Sequence, residues 1–135
     1  MEYNYECNSC YIIRLKPDPD APKPEELAPP GSGMLDTTIW ETAMRLEGVI
    51  FIDKNGLYVR RFEARLKRGF NKAWGFGRVR KTQLIFEQEQ RADLNGVVVI
   101  KRAEIFLQVR ILFFNTTRRR IWEYHGYELN DTATP

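Results

Sequence analysis

The sequence predicts an all-β chain, or nearly so: a curved antiparallel meander of about six or seven strands. Apolar and polar residues alternate through several stretches, the mark of half-buried strands. Asn55-Gly56 and Asn95-Gly96 supply the pair that two-residue hairpin turns favour, because both central positions there need positive φ. Such turns force neighbouring strands to run antiparallel. Strong helix signals are scarce. A length of 135 residues suits one domain, 1–135, able to bury a core without cross-links or metal.

The first strand reads from Cys10 to Lys16, with Tyr11, Ile13 and Leu15 alternating against Ile12, Arg14 and Lys16, and it stops at Pro17. Six of the seven prolines lie between Pro17 and Gly33, so 17–33 is expected to be a long surface loop without regular pairing. Asp36 to Arg45 reads either as a short helix, capped by Asp36 or Thr37, or as an extension of the next strand. That strand places Met44, Leu46, Gly48, Ile50 and Ile52 on one side, with Arg45, Glu47, Val49, Phe51 and Asp53 on the other. After the Asn55-Gly56 turn, Leu57 to Leu66 returns with Tyr58, Phe62, Ala64 and Leu66 on one face beside Arg60. Thr82 to Gln90 alternates again. Val97 to Phe114, rich in β-branched and aromatic residues, is long enough to predict a bend or hairpin near Gln108 to Arg110. Arg118-Arg119-Arg120 then reads as a turn into a last strand, Arg119 to Tyr127, and 128–135 as a polar tail.

A composition of 43% hydrophobic and 29% charged residues is that of a folding chain rather than a disordered one. No apolar run approaches the roughly 20 residues of a membrane-spanning helix, and Met1 to Cys10 carries no basic and apolar export signal. The net charge of +3 is unevenly spread. Lys67, Arg68, Lys72, Arg78, Arg80 and Lys81 fall in residues 67–81 with no acidic residue among them, interleaved with Phe70, Trp74 and Phe76. This segment reads as a contact for an anionic surface, its aromatics entering a lipid interface while the cations stay outside, or as a solvated hairpin loop with its aromatics tucked into the sheet end.

Chemistry-bearing patterns are thin. Cys7 and Cys10 make a single Cys-Asn-Ser-Cys, half of a four-ligand zinc site, with His125 far off and alone. A redox pair would open a helix, whereas a strand follows here, so two thiols at the start of an edge strand are expected. Asp53, Glu63, Glu87 and Glu104 stand at no spacing that pairs them with a nucleophile or base. No enzyme, cofactor or metal is expected. A nucleic-acid module stacking bases on the aromatics of 67–81 is the weaker alternative, since no RNA-sheet signature is present.

Cys10-Tyr-Ile-Ile-Arg-Leu-Lys-Pro17, the Pro-rich loop, Leu46-Glu-Gly-Val-Ile-Phe-Ile-Asp53, Tyr58-Val-Arg-Arg-Phe-Glu-Ala-Arg65 and Phe86-Glu-Gln88 occur in an order that resembles one family. So do Arg110-Ile-Leu-Phe-Phe114 and Trp122-Glu-Tyr-His-Gly-Tyr127. The family is the bacterial outer-membrane lipoprotein-sorting group, in particular its LolA-like periplasmic members, and the resemblance covers residues 10 to 127, the back half of such a carrier. It implies an unclosed barrel, or half barrel, in the periplasm or cell envelope, whose apolar side holds lipid or lipoprotein acyl chains. The front strands, lid helix and cargo arginine of a complete carrier have no counterpart here, so no cargo residue is carried over. A trough of this kind would be lined by one alternate set: Leu46, Ile50 and Ile52, then Phe62 and Leu66, then Leu84 and Phe86. Its partners would be acyl chains and, through 67–81, an anionic membrane surface or an envelope protein.

Overall fold

The computed structural model describes residues 5–20, 22–23, 26, 29–31, 33–72 and 75–129. Seven strands form one antiparallel sheet that does not close into a barrel. They are β1 (Cys10–Leu15), β2 (Leu46–Asp53), β3 (Val59–Leu66), β4 (Phe70–Lys72), β5 (Gly77–Arg91), β6 (Val97–Ile111) and β7 (Phe114–Glu123), and the helix α1 (Met34–Arg45) leads directly into β2. The spatial order β1-β2-β3-β5-β6-β7 follows the chain, with β4 paired to the end of β5. The fold is therefore the expected meander in an open half-barrel form, with β1 and β7 as its edges.

β5 and β6 are 15 residues each, or about 50 Å at the usual rise per residue. β3 pairs only with Gln83–Glu87 of β5, so the β5–β6 hairpin runs past its ladder with β3 at both ends, and β7 accompanies it at the Gly77–Ile111 end. β4 fills one of the corners so left, Phe70 facing Val79 and Lys72 facing Gly77. Leu66, Phe70 and Val79 are buried there with Leu46, Leu107 and Val109 packed against them. Arg45, at the end of α1, places its guanidinium over the Phe70 ring at 4.7 Å, and Lys72 is ion-paired with Glu41 of the same helix. α1 is thus held at this corner rather than laid across the sheet.

Several sequence expectations are corrected. Residues 34–45 are helical, so Met44 and Arg45 leave the strand. The cap is Gly33, not Asp36 or Thr37. The Asn55-Gly56 reversal is a four-residue loop, 54–57. Asp53 nucleates it, its Oδ1 accepting the amides of Asn55 at 2.9 Å and Gly56 at 2.7 Å, and the left-handed residue is Leu57, φ 50°. At the second reversal Asn95 and Gly96 do both take positive φ, 57° and 79°. A bulge sets Val59 opposite Ile52 and leaves Arg60 as the extra residue, which breaks the alternation expected for Tyr58 to Leu66.

β6 runs undivided, and the chain reverses at Leu112-Phe113 instead of at Gln108 to Arg110. β7 accordingly begins at Phe114, ends at Glu123 and contains Arg118, Arg119 and Arg120 within the strand. β5 starts at Gly77, so Gly77 to Lys81 of the basic segment is strand as well. Cys7 and Cys10 are not free thiols. They form a disulfide, their Cα atoms 5.6 Å apart, a separation within the range that bonding geometry allows.

Candidate functional site

Residues directly opposite each other in an antiparallel ladder project from the same face, so the register decides which side chains share a surface. Ile13, Ile50, Phe62, Phe86, Ala103 and Trp122 form one row across six strands, and Leu15, Gly48, Ala64, Leu84, Ile105 and Arg120 form the next. Leu46 and Leu66 lie opposite each other one row further, beside Thr82 and Leu107, and Ile52 faces Tyr11 on the other flank. All seven residues expected on one apolar side therefore do share a face: Leu46, Ile50, Ile52, Phe62, Leu66, Leu84 and Phe86. Leu66 is buried and the other six are half-buried. The expected set was incomplete, because only the register shows that Tyr11, Ile13 and Leu15 of β1, with Ile105 and Trp122, extend the same surface. These five are exposed.

Gly48 and Ala64 meet at the middle of this face. A Cβ on Gly48 would stand 2.6 Å from the Glu63 carbonyl oxygen and 3.3 Å from the Ala64 Cβ. β2 and β3 approach too closely there for any side chain at position 48.

The deepest burial is on the opposite face, which the sequence pattern marks as the wet one. Val49 is 1% exposed and Phe51 4%, because the chain just before β1 folds over them. Tyr5 packs edge-on to Phe51, and Cys10 is buried against the same cluster with Cys7 beside it. Arg60 donates to the Cys7 Sγ at 3.3 Å. Further along this face the side chains are charged and paired. Arg61 bridges Glu63 at 3.3 Å and Glu87, and Glu104 receives Arg102 at 2.9 Å with Arg119 at 3.7 Å. Here Asp53, Glu63, Glu87 and Glu104 hold a turn and ion pairs together through arginines and backbone amides.

The basic aromatic segment is divided. Lys67 and Arg68 are exposed in the turn between β3 and β4. Arg78 donates to the Asn71 Oδ1 at 2.9 Å and Arg80 to the Asn115 Oδ1 at 3.1 Å. Arg80 and Lys81 are exposed, Lys72 is spent on Glu41, and Trp74 lies outside the described residues. What the linear sequence hides is the neighbour of this segment. Gly77 pairs with Ile111, and the Leu112 amide donates to the Phe76 carbonyl at 2.7 Å, so Phe76, just ahead of β5, and the β6–β7 turn sit side by side at one end of the sheet.

Among the described residues no cluster of His, Cys, Asp and Glu can hold a metal ion, and no helix is long and apolar enough to cross a membrane. A shallow hollow of about 370 Å³ lies between Pro17–Pro19, Pro22 and the Glu41–Arg45 side of α1, apart from the apolar face. Comparison with protein-family models, with curated proteins and with solved structures finds no match for this chain.

Proposed function

We propose that this domain is a non-enzymatic carrier that binds a lipid or lipoprotein acyl chain along its apolar face. The observation that carries the reading is the continuous surface from Tyr11, Ile13 and Leu15 across Ile50, Phe62 and Phe86 to Ile105 and Trp122, half-buried in its centre and exposed at both edges. A contiguous apolar surface of this breadth costs free energy in water and favours an occupant. An extended hydrocarbon matches its chemistry, since each methylene buried stabilises by about 0.8 kcal/mol. A chain of a dozen or so carbons thus supplies about 10 kcal/mol against the cost of association.

The resemblance of residues 10 to 127 to LolA-like lipoprotein-sorting proteins favours the same class of cargo and is in keeping with a bacterial periplasmic or envelope location. The Cys7–Cys10 disulfide fits such an oxidising compartment. Native mass spectrometry of gently purified protein, followed by titration with a fluorescent fatty acid, tests the reading. A copurifying lipid and saturable probe binding that weakens in Ile50→Ser and Phe86→Ser are expected. Absence of both lipid and saturable binding would sink the carrier.

A further inference from the structure

We infer that the end of the sheet where Phe76 adjoins the β6–β7 turn is an insertion point for an anionic lipid bilayer, with Leu112 and Phe113 as its leading edge. Four successive residues there, Ile111 to Phe114, are exposed, Ile111 at 63%, Phe113 at 94% and Phe114 at 73%. Phe76 is exposed beside them, its carbonyl bonded to the Leu112 amide. Ile111 and Phe114 keep the parity of Ile105 and so border the apolar face, whereas Leu112 and Phe113 stand beyond the strand ends at the tip, whose occupant is a question separate from the carrier reading.

Charge commits the occupant to one chemistry. Behind the tip come Arg78 and Arg110 in one row, then Arg80 and Lys81, then Arg118. From Lys67 to Lys81 and from Ile105 to Trp122 there is no acidic residue, and Glu41, which reaches this end from α1, is held by Lys72 and Arg45. Arg118 is four residues from Phe114, about 13 Å along the strand. The cations therefore sit at headgroup depth when the aromatics enter about 5–10 Å, the depth of interfacial apolar groups. A neutral protein groove would accept the aromatics without using the cations, and a nucleic acid would use the cations but leave four aliphatic and aromatic side chains in water.

Flotation with vesicles of equal parts phosphatidylglycerol and phosphatidylcholine, against phosphatidylcholine alone, tests this. The chain is expected to float with the anionic vesicles and to be released by high salt. Phe113→Ser with Phe114→Ser should weaken binding about tenfold or more, and Arg118→Gln about fivefold. An environment-sensitive fluorophore on Phe113→Cys should shift to the blue with anionic vesicles, while the same label on Asn55→Cys, in the loop at the other end of the sheet, should not. The label experiment holds even if the double serine variant folds poorly. Failure to float, equal salt-insensitive binding to both vesicles, a shift at both labels, or salt-sensitive binding to an oligonucleotide but not to vesicles would each overturn the inference. So would self-association that Phe113→Ser abolishes without any effect of lipid.

Discussion

Tyr5 stands edge-on to Phe51, ring centroids 4.8 Å apart and planes at 66°, and the Arg61 guanidinium lies over the Tyr5 ring at 4.9 Å. One side chain ahead of the first strand thus seals an apolar pair, Val49 and Phe51, and shields the start of a charge ladder. An aromatic pair contributes about 0.5–1.5 kcal/mol and a partly shielded cation–π contact about 0.5–1 kcal/mol. Tyr5→Ala is expected to lower stability by about 2 kcal/mol, read as a fall in the urea midpoint with unchanged slope. Cys7→Ser with Cys10→Ser frees the same segment and should cost about 2 kcal/mol by the chain-entropy relation for so short a loop. A midpoint unmoved by either change would mean that this segment does not cover the sheet in solution.

Gly48 marks a close approach of β2 and β3 on the apolar face. Its missing Cβ would meet backbone, the Glu63 carbonyl oxygen at 2.6 Å, which no rotamer change relieves. Gly48→Ala is therefore expected to cost about 1–3 kcal/mol, the range for overpacking a well-packed interior, and Gly48→Val more. Thermal denaturation of the two variants checks the order. If alanine were neutral, the β2–β3 ladder would have to be looser at this point than its register implies.

Local pattern made most of this sheet legible, and the failures have physical causes. Alternation in Tyr11–Leu15, Leu46–Asp53 and Thr82–Gln90 identifies strands because side chains of a strand project with a period of two. The apolar set from Leu46 to Phe86 follows from the same parity, so it was readable before the register was known. Which face is the more deeply buried was not. That depends on where Tyr5 and the Cys7–Cys10 segment fold back, a tertiary fact that alternation does not encode. The reversal at Leu112-Phe113 carries no sequence signal, because neither residue is a turn former. With no Gly or Pro to mark it, 97–114 reads as a run divided near Gln108 to Arg110, and Arg118 to Arg120 read as a turn although they lie within β7. The bulge at Arg60 has no sequence signature either.

Arg91 and Asp93 flank the start of the β5–β6 turn, Arg91 donating through Nε to Oδ1 at 2.8 Å and through Nη2 to Oδ2 at 2.6 Å. The side-chain hydrogen bond from Arg91 is the largest influence on Asp93 and holds the carboxyl below the usual carboxylate range; desolvation, next in size, opposes it, and the Arg91 charge adds to the lowering. A carboxyl whose folded value is depressed adds stability in full above its unfolded value, about 3.9, and loses it as pH falls through the folded value. Acid should therefore loosen this turn only at strongly acidic pH. The check is a carboxyl-carbon magnetic-resonance titration: Arg91→Gln is expected to move the Asp93 midpoint up to the ordinary range. Identical midpoints in the two proteins would mean that the pair does not persist in water.

The apolar face makes a prediction that separates binding from folding. Ile13 on the edge strand β1 and Ile105 on β6 are both exposed yet stand in the two rows that contain Ile50, Phe62, Phe86 and Leu84. A lysine at either position keeps its amine in water while its stem crosses the surface, so Ile13→Lys and Ile105→Lys should change stability by no more than about 0.5 kcal/mol. A hydrocarbon lying along the same rows would have to desolvate the new ammonium or detour around it, and its affinity should fall about tenfold or more for each substitution. Phe62→Lys differs because it removes a half-buried ring from the centre of the sheet, and it should lower both affinity and melting temperature. Paired melting curves and fatty-acid titrations on the three variants give the answer. Affinity that follows melting temperature across all three, instead of falling alone in the first two, would mean that the rows of Ile13 and Ile105 take no part in holding a chain.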